Sequence, residues 1–565
     1  MKVERGASQV LFGMLPAQTV DLQGRVWRVA HWTDPLTLPL DSTVVRAALL
    51  DAIAPWAAND TDGGLSAELR ARAAVEVVGV NKERGVAVDS FPRQWRCRQC
   101  GRLTAERPDR CRCRATSISQ MQFVAYHVCG ALREPTLERC PAHHAVAVRL
   151  PGTATARELY FFCPDCNRPL SNGFPDQWCV CGKPMSVTVH RAGAVFTPQY
   201  AVLVNPPDPA VAARLRAHGG GASALEWVLD GMGPARPDEG TPTYDSFIDM
   251  LIQQGLSEAS AREFADRALE RGEIQRRSAG AGGLDIPPPA RARAQEEALS
   301  INSAAAGGRV RIEDMTAGTT PPLQTLYQLG YPRALRQARL AGAELLTNFP
   351  VATLAFGYTR GGQPAGQSRL IPFRDRGGLR AYGSLNRTEA LLFQLDPLAV
   401  AEHLRDRGCS LPSAPTPRDA RLAILRNVEI PSAAEERPQR LGRELVTLLH
   451  SYAHRLVRAL AAFSGIERDA LAEYLIPHHL SVIIYASARG DFVLGGLQAV
   501  FETALDQTLD AFVTGETRCP LDPGCRTGGG ACMACLHLGE PSCRWFNRYL
   551  DRAALFGPDG YLPRR

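Results

Sequence analysis

Cys97-Arg98-Gln99-Cys100, ten residues, then Cys111-Arg112-Cys113: this stretch carries four thiols in two close pairs. The pattern returns at Cys163-Pro164-Asp165-Cys166, twelve residues, then Cys179-Val180-Cys181. Two knuckles about a dozen residues apart, each at a tight turn, are how a zinc ribbon gathers four sulfurs around one tetrahedral Zn²⁺. Four filled positions leave none for water, so such sites staple loop-rich modules rather than activate a nucleophile. The recurrence also reads as an internal duplication.

Between the two sets lies His127-Val128-Cys129, ten residues, then Cys140-Pro141-Ala142-His143-His144. Taken in reverse order this is the same ribbon, a one-spacer pair and a two-spacer pair, and it predicts a Cys₂His₂ site from His127, Cys129, Cys140 and His143. The competing reading is two buried thiols beside surface histidines. Near the C-terminus, Cys519-Pro520-Leu521-Asp522-Pro523-Gly524-Cys525 is followed by Cys532-Met533-Ala534-Cys535 and, seven residues on, by Cys543. The favoured ligands are Cys525, Cys532, Cys535 and Cys543, with Cys519 as spare or alternate. A disulfide framework is the rival, but it belongs to small secreted chains.

The chain has 565 residues, too many for one core, and 45% are hydrophobic, ordinary for a globular protein. No apolar run of about 18 residues is present, so no membrane span is expected. Met1-Lys2-Val3-Glu4-Arg5-Gly6 lacks the apolar core of a signal peptide. Sixteen cysteines are therefore expected in a reducing cytoplasm, as metal ligands or buried thiols. The net charge is +6, and only Lys2, Lys82 and Lys183 are lysines. Arginine suits bidentate phosphate contact; biased base composition accounts for the excess equally well. Arg93, Arg96, Arg98, Arg102, Arg112 and Arg114 flank the first ribbon and could meet phosphate or simply coat a solvated face.

The expected fold class is α+β and multidomain: tandem zinc-ribbon modules plus a C-terminal α/β domain closed by a Cys₄ zinc site. Residues 1–90 form an N-terminal α/β region, with Arg25 to Ala30 alternating like a strand and 66–78 spaced like a helix. Residues 91–200 hold the ribbons. Residues 201–273 read as a helical insert with amphipathic stretches at 244–255 and 257–271. Residues 274–322, rich in Ala, Gly, Pro and Arg and containing Pro287-Pro288-Pro289, read as a flexible linker. Residues 323–435 are an α/β region. There Thr359, Arg360 and Glu389 stand at strand ends, where binding residues often lie, though turn and rim roles are the simpler reading. Residues 436–565 form the last domain. Its long helix from Arg440, stopped by Gly465, places His450 and His454 on one face. The glutamate of HExxH is absent, since position 451 is Ser, so hydrogen-bonded core histidines are the preferred reading. Leu480 to Tyr485 is a buried strand, and Asp491 to Leu497 a turn entering another helix.

Leu448-Leu449-His450-Ser451-Tyr452-Ala453-His454, Ile484-Tyr485, Gly495-Gly496-Leu497, and the cysteine cluster ending Cys543-Arg544-Trp545-Phe546-Asn547-Arg548-Tyr549-Leu550-Asp551-Arg552 resemble the MrfA-like zinc-binding domain. That domain accompanies superfamily-2 helicases, fused or as a separate subunit. The resemblance implies a four-cysteine zinc site, carried here by Cys525, Cys532, Cys535 and Cys543. Ser8-Gln9-Val10-Leu11-Phe12, Phe91-Pro92-Arg93 and Gly357-Tyr358-Thr359-Arg360 extend the likeness to the DrmB-like subunits of the DISARM anti-phage system.

The resemblance implies a zinc-binding accessory subunit, with three or four Zn²⁺ sites, that partners a DrmA-like superfamily-2 helicase. It would help that helicase bind or load on DNA, with arginines meeting phosphate. The residues support that division of labour: Gly182-Lys183 is the only Gly-Lys pair and no GxxxxGK[ST] loop is present, so no ATP motor is expected. No G-x-S-x-G elbow appears either. A metal-dependent nuclease built on His450, His454 and Glu444, and a purely protein-binding scaffold, are the alternatives.

Overall fold

The computed structural model describes residues 2–3, 5–150, 156–234, 236, 244–271, 274, 284–316, 319–432, 437–487, 495–515, 518–539 and 542–562. The fold is mixed α+β and divides into two compact units. One comprises Met1–Leu203 and Ala352–Leu385, the other Val204–Val351 and Asn386–Arg565.

In the first unit a four-stranded sheet joins Lys2–Val3, Val86–Ser90, Arg25–Trp32 and Thr19–Leu22 in that order. The expected strand is there, but its burial does not alternate: Val29 and Trp32 join the core beneath the sheet, with a register shift between Val29 and His31, while Val26 is buried outside that core. Helix Ala7–Gly13 buries Val10 and Leu11 beneath this sheet. The helix expected over 66–78 is only Leu65–Arg70; Val75–Gly79 is a strand instead. Its β-branched Val75, Val77 and Val78 favour the pleat, and it pairs parallel with Leu379 to Gly383. Three small sheets follow, of three strands each. They group Trp95–Cys97 with Leu103–Thr104 and Ile118–Gln120, Phe123–Tyr126 with Leu132–Arg133 and Ser186–Val189, and Ala147–Arg149 with Tyr160–Phe162 and Pro169–Asn172.

The second unit is organised by helix Arg440–Ser464, which ends at Gly465 in the left-handed conformation (φ 70°). Its side chains pack against the hairpin Leu471–Ile476 and Ser481–Ala486, whose second strand pairs with Ala390 to Gln394. Leu445, Leu448, Leu449, Tyr452 and Leu456 are all fully buried, so truncating any one leucine to alanine costs about 2–5 kcal/mol.

The linker expected over 274–322 differs most where it is described; residues 275–283 and 317–318 of it lie outside the described residues. Pro288–Ala306 is a 19-residue helix, with proline in its first turn where no amide hydrogen is required. Its small residues are a packing face, not a sign of freedom. Ala294, Ala298, Ile301 and Ala304 join Leu225 and Val228 of helix Gly220–Leu229 in one core. Gly221 stands so close that a Cβ there would lie 2.8 Å from the Gln295 Cβ. The helix is stitched to the turn Pro477–His479, since Glu297 accepts from the His478 amide (2.9 Å) and His479 Nε2 donates to the Ala294 carbonyl (2.6 Å). The expected helices at 244–255 and 257–271 are found as Tyr244–Gln253 and Glu258–Glu270. The Asp491 to Leu494 part of the expected turn lies outside the described residues.

Candidate metal centres

Among the described residues five groups of donors come together, each with its ligand atoms within 4.8 Å of one another. All sixteen cysteines are free of disulfides.

The first group, Cys97, Cys100, Cys111 and Cys113, is the four-thiol set read from the sequence. The next two are not. His127 and Cys129 meet Cys179 and Cys181, while Cys140 and His143 meet Cys163 and Cys166. Neither the expected Cys₂His₂ set (His127, Cys129, Cys140, His143) nor the expected Cys₄ set (Cys163, Cys166, Cys179, Cys181) forms. The knuckles do not pair in the order they occur. The hairpin Phe123–Tyr126 to Leu132–Arg133 pairs with the distant strand Ser186–Val189, so its knuckle meets the one just before that strand. The intervening finger, built on Ala147–Arg149, Tyr160–Phe162 and Pro169–Asn172, is nested inside.

Six knuckles share one backbone rule. In the two-spacer knuckles the amide of the first ligand donates five residues ahead, and the amide four residues ahead donates back to its carbonyl. Cys97 donates to Arg102 (2.9 Å) and receives Gly101 (3.0 Å); Cys140 with Ala145 and His144, and Cys163 with Arg168 and Asn167, repeat this. The one-spacer knuckles are shorter by one residue: Cys111 with Ala115 and Arg114, His127 with Ala131 and Gly130, Cys179 with Lys183 and Gly182. Each is closed by a residue at positive φ: Gly101, His144, Asn167, Arg114, Gly130 or Gly182. The turn points two backbone-anchored donors at one spot. The spacer length therefore sets the local turn but not the partner: the second finger joins two one-spacer knuckles and the third two two-spacer ones.

Separations fit a tetrahedron around a metal. Cys97 and Cys113 sulfurs are 3.5 Å apart, as are Cys100 and Cys111, and Cys129 and Cys179; Cys140 and Cys166 are 3.8 Å apart. A disulfide needs about 2.0 Å, whereas sulfurs at zinc–sulfur bond length span about 3.8 Å along a tetrahedral edge. His127 Nδ1 is 3.5 Å from Cys181 Sγ, and His143 Nδ1 is 3.4 Å from Cys140 Sγ. The His143 contact pulls the Cys140 thiol down to about 6. Burial drives the Cys100 thiol up to about 12, and the neighbouring thiols add to the rise.

The C-terminal group is Cys519, Cys525, Cys532 and Cys535. This corrects the sequence assignment: Cys519 is a member and Cys543 is not. The Cys519 sulfur lies 3.5 Å from Cys532, and Cys525 lies 3.7 Å from Cys535. The segment 519–522 folds back as a turn held by Asp522, whose carboxylate accepts from the Cys519 amide (3.2 Å) and both oxygens of which meet Arg552 (2.7 and 3.0 Å). Cys543 lies instead against His450, His454 and Glu473.

Other expected positions resolve as structure. Arg360 is 1% exposed and donates to the carbonyls of Gly130 (3.0 Å), Val195 and Ala17 (3.2 Å) beneath Tyr358. Thr359 is buried beside it. Both carboxylate oxygens of Glu389 accept amides of Leu497 and Gln498 at 3.0 Å, capping helix Gly496–Thr503. Glu444 does not join the histidines; it pairs with Arg407 (3.0 Å) and Arg443 (3.1 Å). Among the first-finger arginines, Arg102 is engaged with Asp165, and Arg93 lies 3.9 Å from Glu134. Arg98, Arg112 and Arg114 are exposed. Glu473 leaves one signal in the sequence, a lone carboxylate inside the apolar strand Leu471–Ile476.

A family model described as a domain of unknown function (DUF8724) matches residues 6–197. The chain is also similar to the DISARM protein DrmB of Bacillus paralicheniformis, 32% identical over 123 residues. That match covers 19% of this chain and 22% of that protein's own length. No helix among the described residues is long and apolar enough to cross a membrane.

Proposed function

We propose that this chain is a zinc-stapled accessory subunit of an anti-phage defence complex, partnering a DrmA-like superfamily-2 helicase and helping it bind or load on DNA. The observation that carries the reading is the set of four cysteine-rich groups at tetrahedral spacing, together with the similarity to DrmB. Filled, each group is a closed four-donor shell, suited to holding a surface in shape rather than to hydrolysis. The zinc ribbons then present a rigid face. Arg98, Arg112 and Arg114, exposed around the first ribbon, are the arginines we assign to phosphate. The C-terminal segment keeps the MrfA-like role, with Cys519 replacing Cys543 as the fourth cysteine. On this reading the chain is not an enzyme, and it works in the cytoplasm.

The test is affinity purification of the full chain from cells carrying its neighbouring genes, followed by ATPase and DNA-binding assays with and without the co-purified partner. The expected result is a helicase-sized partner, no ATP hydrolysis by the chain alone, and DNA binding that weakens as salt rises. The triple variant R98A/R112A/R114A is expected to bind less tightly with a shallower salt slope. ATP hydrolysis by the pure chain, or salt-independent failure to shift DNA even with its partner, contradicts the proposal.

A further inference from the structure

The long helix, the hairpin strand and the C-terminal segment converge on a group that shares no residue with the four cysteine-rich ones. His450 and His454, one turn apart on Arg440–Ser464, face Glu473 and Cys543. His450 Nε2 is 3.1 Å from Glu473 Oε1 and 3.2 Å from Cys543 Sγ, and His454 Nε2 is 3.4 Å from Glu473 Oε2. Both histidines are 0% exposed, Glu473 is 1% and Cys543 is 2%.

The hydrogen bonds on the far sides of the rings decide what faces inward. His450 Nδ1 lies 2.7 Å from the Arg548 carbonyl and His454 Nδ1 lies 2.9 Å from the Leu536 carbonyl. A carbonyl only accepts, so each Nδ1 carries the proton and donates it. A neutral ring then turns a bare lone pair inward from Nε2. What it meets is a carboxylate, which only accepts, and a sulfur, which as a thiolate accepts as well. His454 Nε2 and both oxygens of Glu473 accordingly have no hydrogen-bond partner although fully buried. Buried acceptors aimed at one another are costly unless a cation lies between them. Metal-ligating histidines have this arrangement, with the second nitrogen held by a carbonyl.

We propose that His450 Nε2, His454 Nε2, the Glu473 carboxylate and Cys543 Sγ bind one tetrahedral divalent transition-metal ion, with zinc as the ion that this N₂OS donor set suits. A carboxylate and a thiolate supply two negative charges, so a divalent ion leaves the buried site neutral. At zinc bond lengths, neighbouring donors of such a set stand about 3.4–3.6 Å apart, within a few tenths of the separations here. The sulfur also receives the Asn547 amide at 3.2 Å, as Cys535 receives the Cys532 amide at 3.2 Å in the adjoining group. The alternative, two imidazoliums balancing the two anions, would set like charges on rings whose centroids are 4.2 Å apart.

All four positions are filled by protein and the site is closed to solvent, so its role is structural: it ties the C-terminal segment to the helix and the hairpin. The tie reaches the cysteine group as well. Leu536, whose carbonyl holds His454, donates its own amide to the carbonyl of Cys532 (2.9 Å).

The test is native mass spectrometry of the full chain purified without chelator, with elemental analysis to identify the ion. Five ions per chain are expected, one for each donor group. Glu473→Gln and Cys543→Ala should each carry one fewer, while Cys113→Ser, in the first finger, loses a different one and leaves this site filled. Where a variant does not fold, the count on the unaltered chain decides. An unaltered chain with no more metal than the four cysteine-rich groups account for, and no loss in Glu473→Gln or Cys543→Ala, overturns the proposal.

Discussion

The fingers of residues 97–181 and the C-terminal donors gather ligands in opposite ways. In the fingers each knuckle is a local event: two donors within four residues, a pair of backbone hydrogen bonds and one left-handed residue. Only the choice of partner knuckle is long-range. In the His450, His454, Glu473 and Cys543 group almost nothing is local. The donors span a helix, a strand and a segment almost a hundred residues along the chain, and packing alone unites them. A sequence announces the first kind of site and hides the second.

The sharpest way to stress this contrast is to remove metal. Structural zinc in finger peptides is worth roughly 10–16 kcal/mol of folding free energy, and the finger sheets are small, with three strands each. A strong chelator under otherwise native conditions should therefore abolish amide-exchange protection across residues 97–190 while leaving the hairpin Leu471–Ile476 and Ser481–Ala486 protected by its large core. Persistent protection in the fingers would show that they do not depend on metal.

The knuckle rule predicts a difference between two glycines with the same left-handed backbone. Gly101 (φ 75°) faces the Val148 carbonyl, 2.5 Å from where a Cβ would stand, whereas Gly182 (φ 78°) has nothing within 4 Å. Gly101→Ala should cost about 3 kcal/mol, combining backbone strain and a backbone clash. Gly182→Ala should cost about 1 kcal/mol, the strain alone. Denaturant titration of both variants measures the gap; equal costs would mean that the first and third fingers do not abut through Gly101.

A smaller effect concerns two buried histidines of the second unit that lie outside the donor groups. Burial holds His479 down to about 3, despite its hydrogen bond to Ala294, and burial with the nearby Arg407 charge holds His403 down to about 4. Both folded values lie below the unfolded one of about 6.5, so between them the unfolded chain binds more protons. Stability is then full above about 6.5 and falls as pH drops toward 3–4. His479→Gln should flatten that acid limb of melting temperature against pH; an unchanged limb would assign the acid sensitivity elsewhere.

What could be read from the sequence follows the same division. All six finger knuckles were visible, as were the long helix with its Gly465 stop and the buried strand after it, because ligand spacing and apolar period are local. The nesting was not, since one-spacer and two-spacer knuckles are equally good partners for either kind. Cys543 was grouped with the nearby cysteines by proximity, when its partners are His450, His454 and Glu473. Residues 288–306 looked like a linker because alanine marks both mobile chain and tightly approaching helices; Gly221 on the facing helix settles it as the latter.

The nested pairing of the fingers is tested most directly by counting metal ions in two double variants. Cys129 and Cys179 belong to one group, Cys129 and Cys140 to two. Nesting predicts that Cys129→Ser with Cys179→Ser loses one ion per chain, and that Cys129→Ser with Cys140→Ser loses two. The reverse result, two ions lost in the first and one in the second, would restore pairing in sequence order and contradict the nested fold.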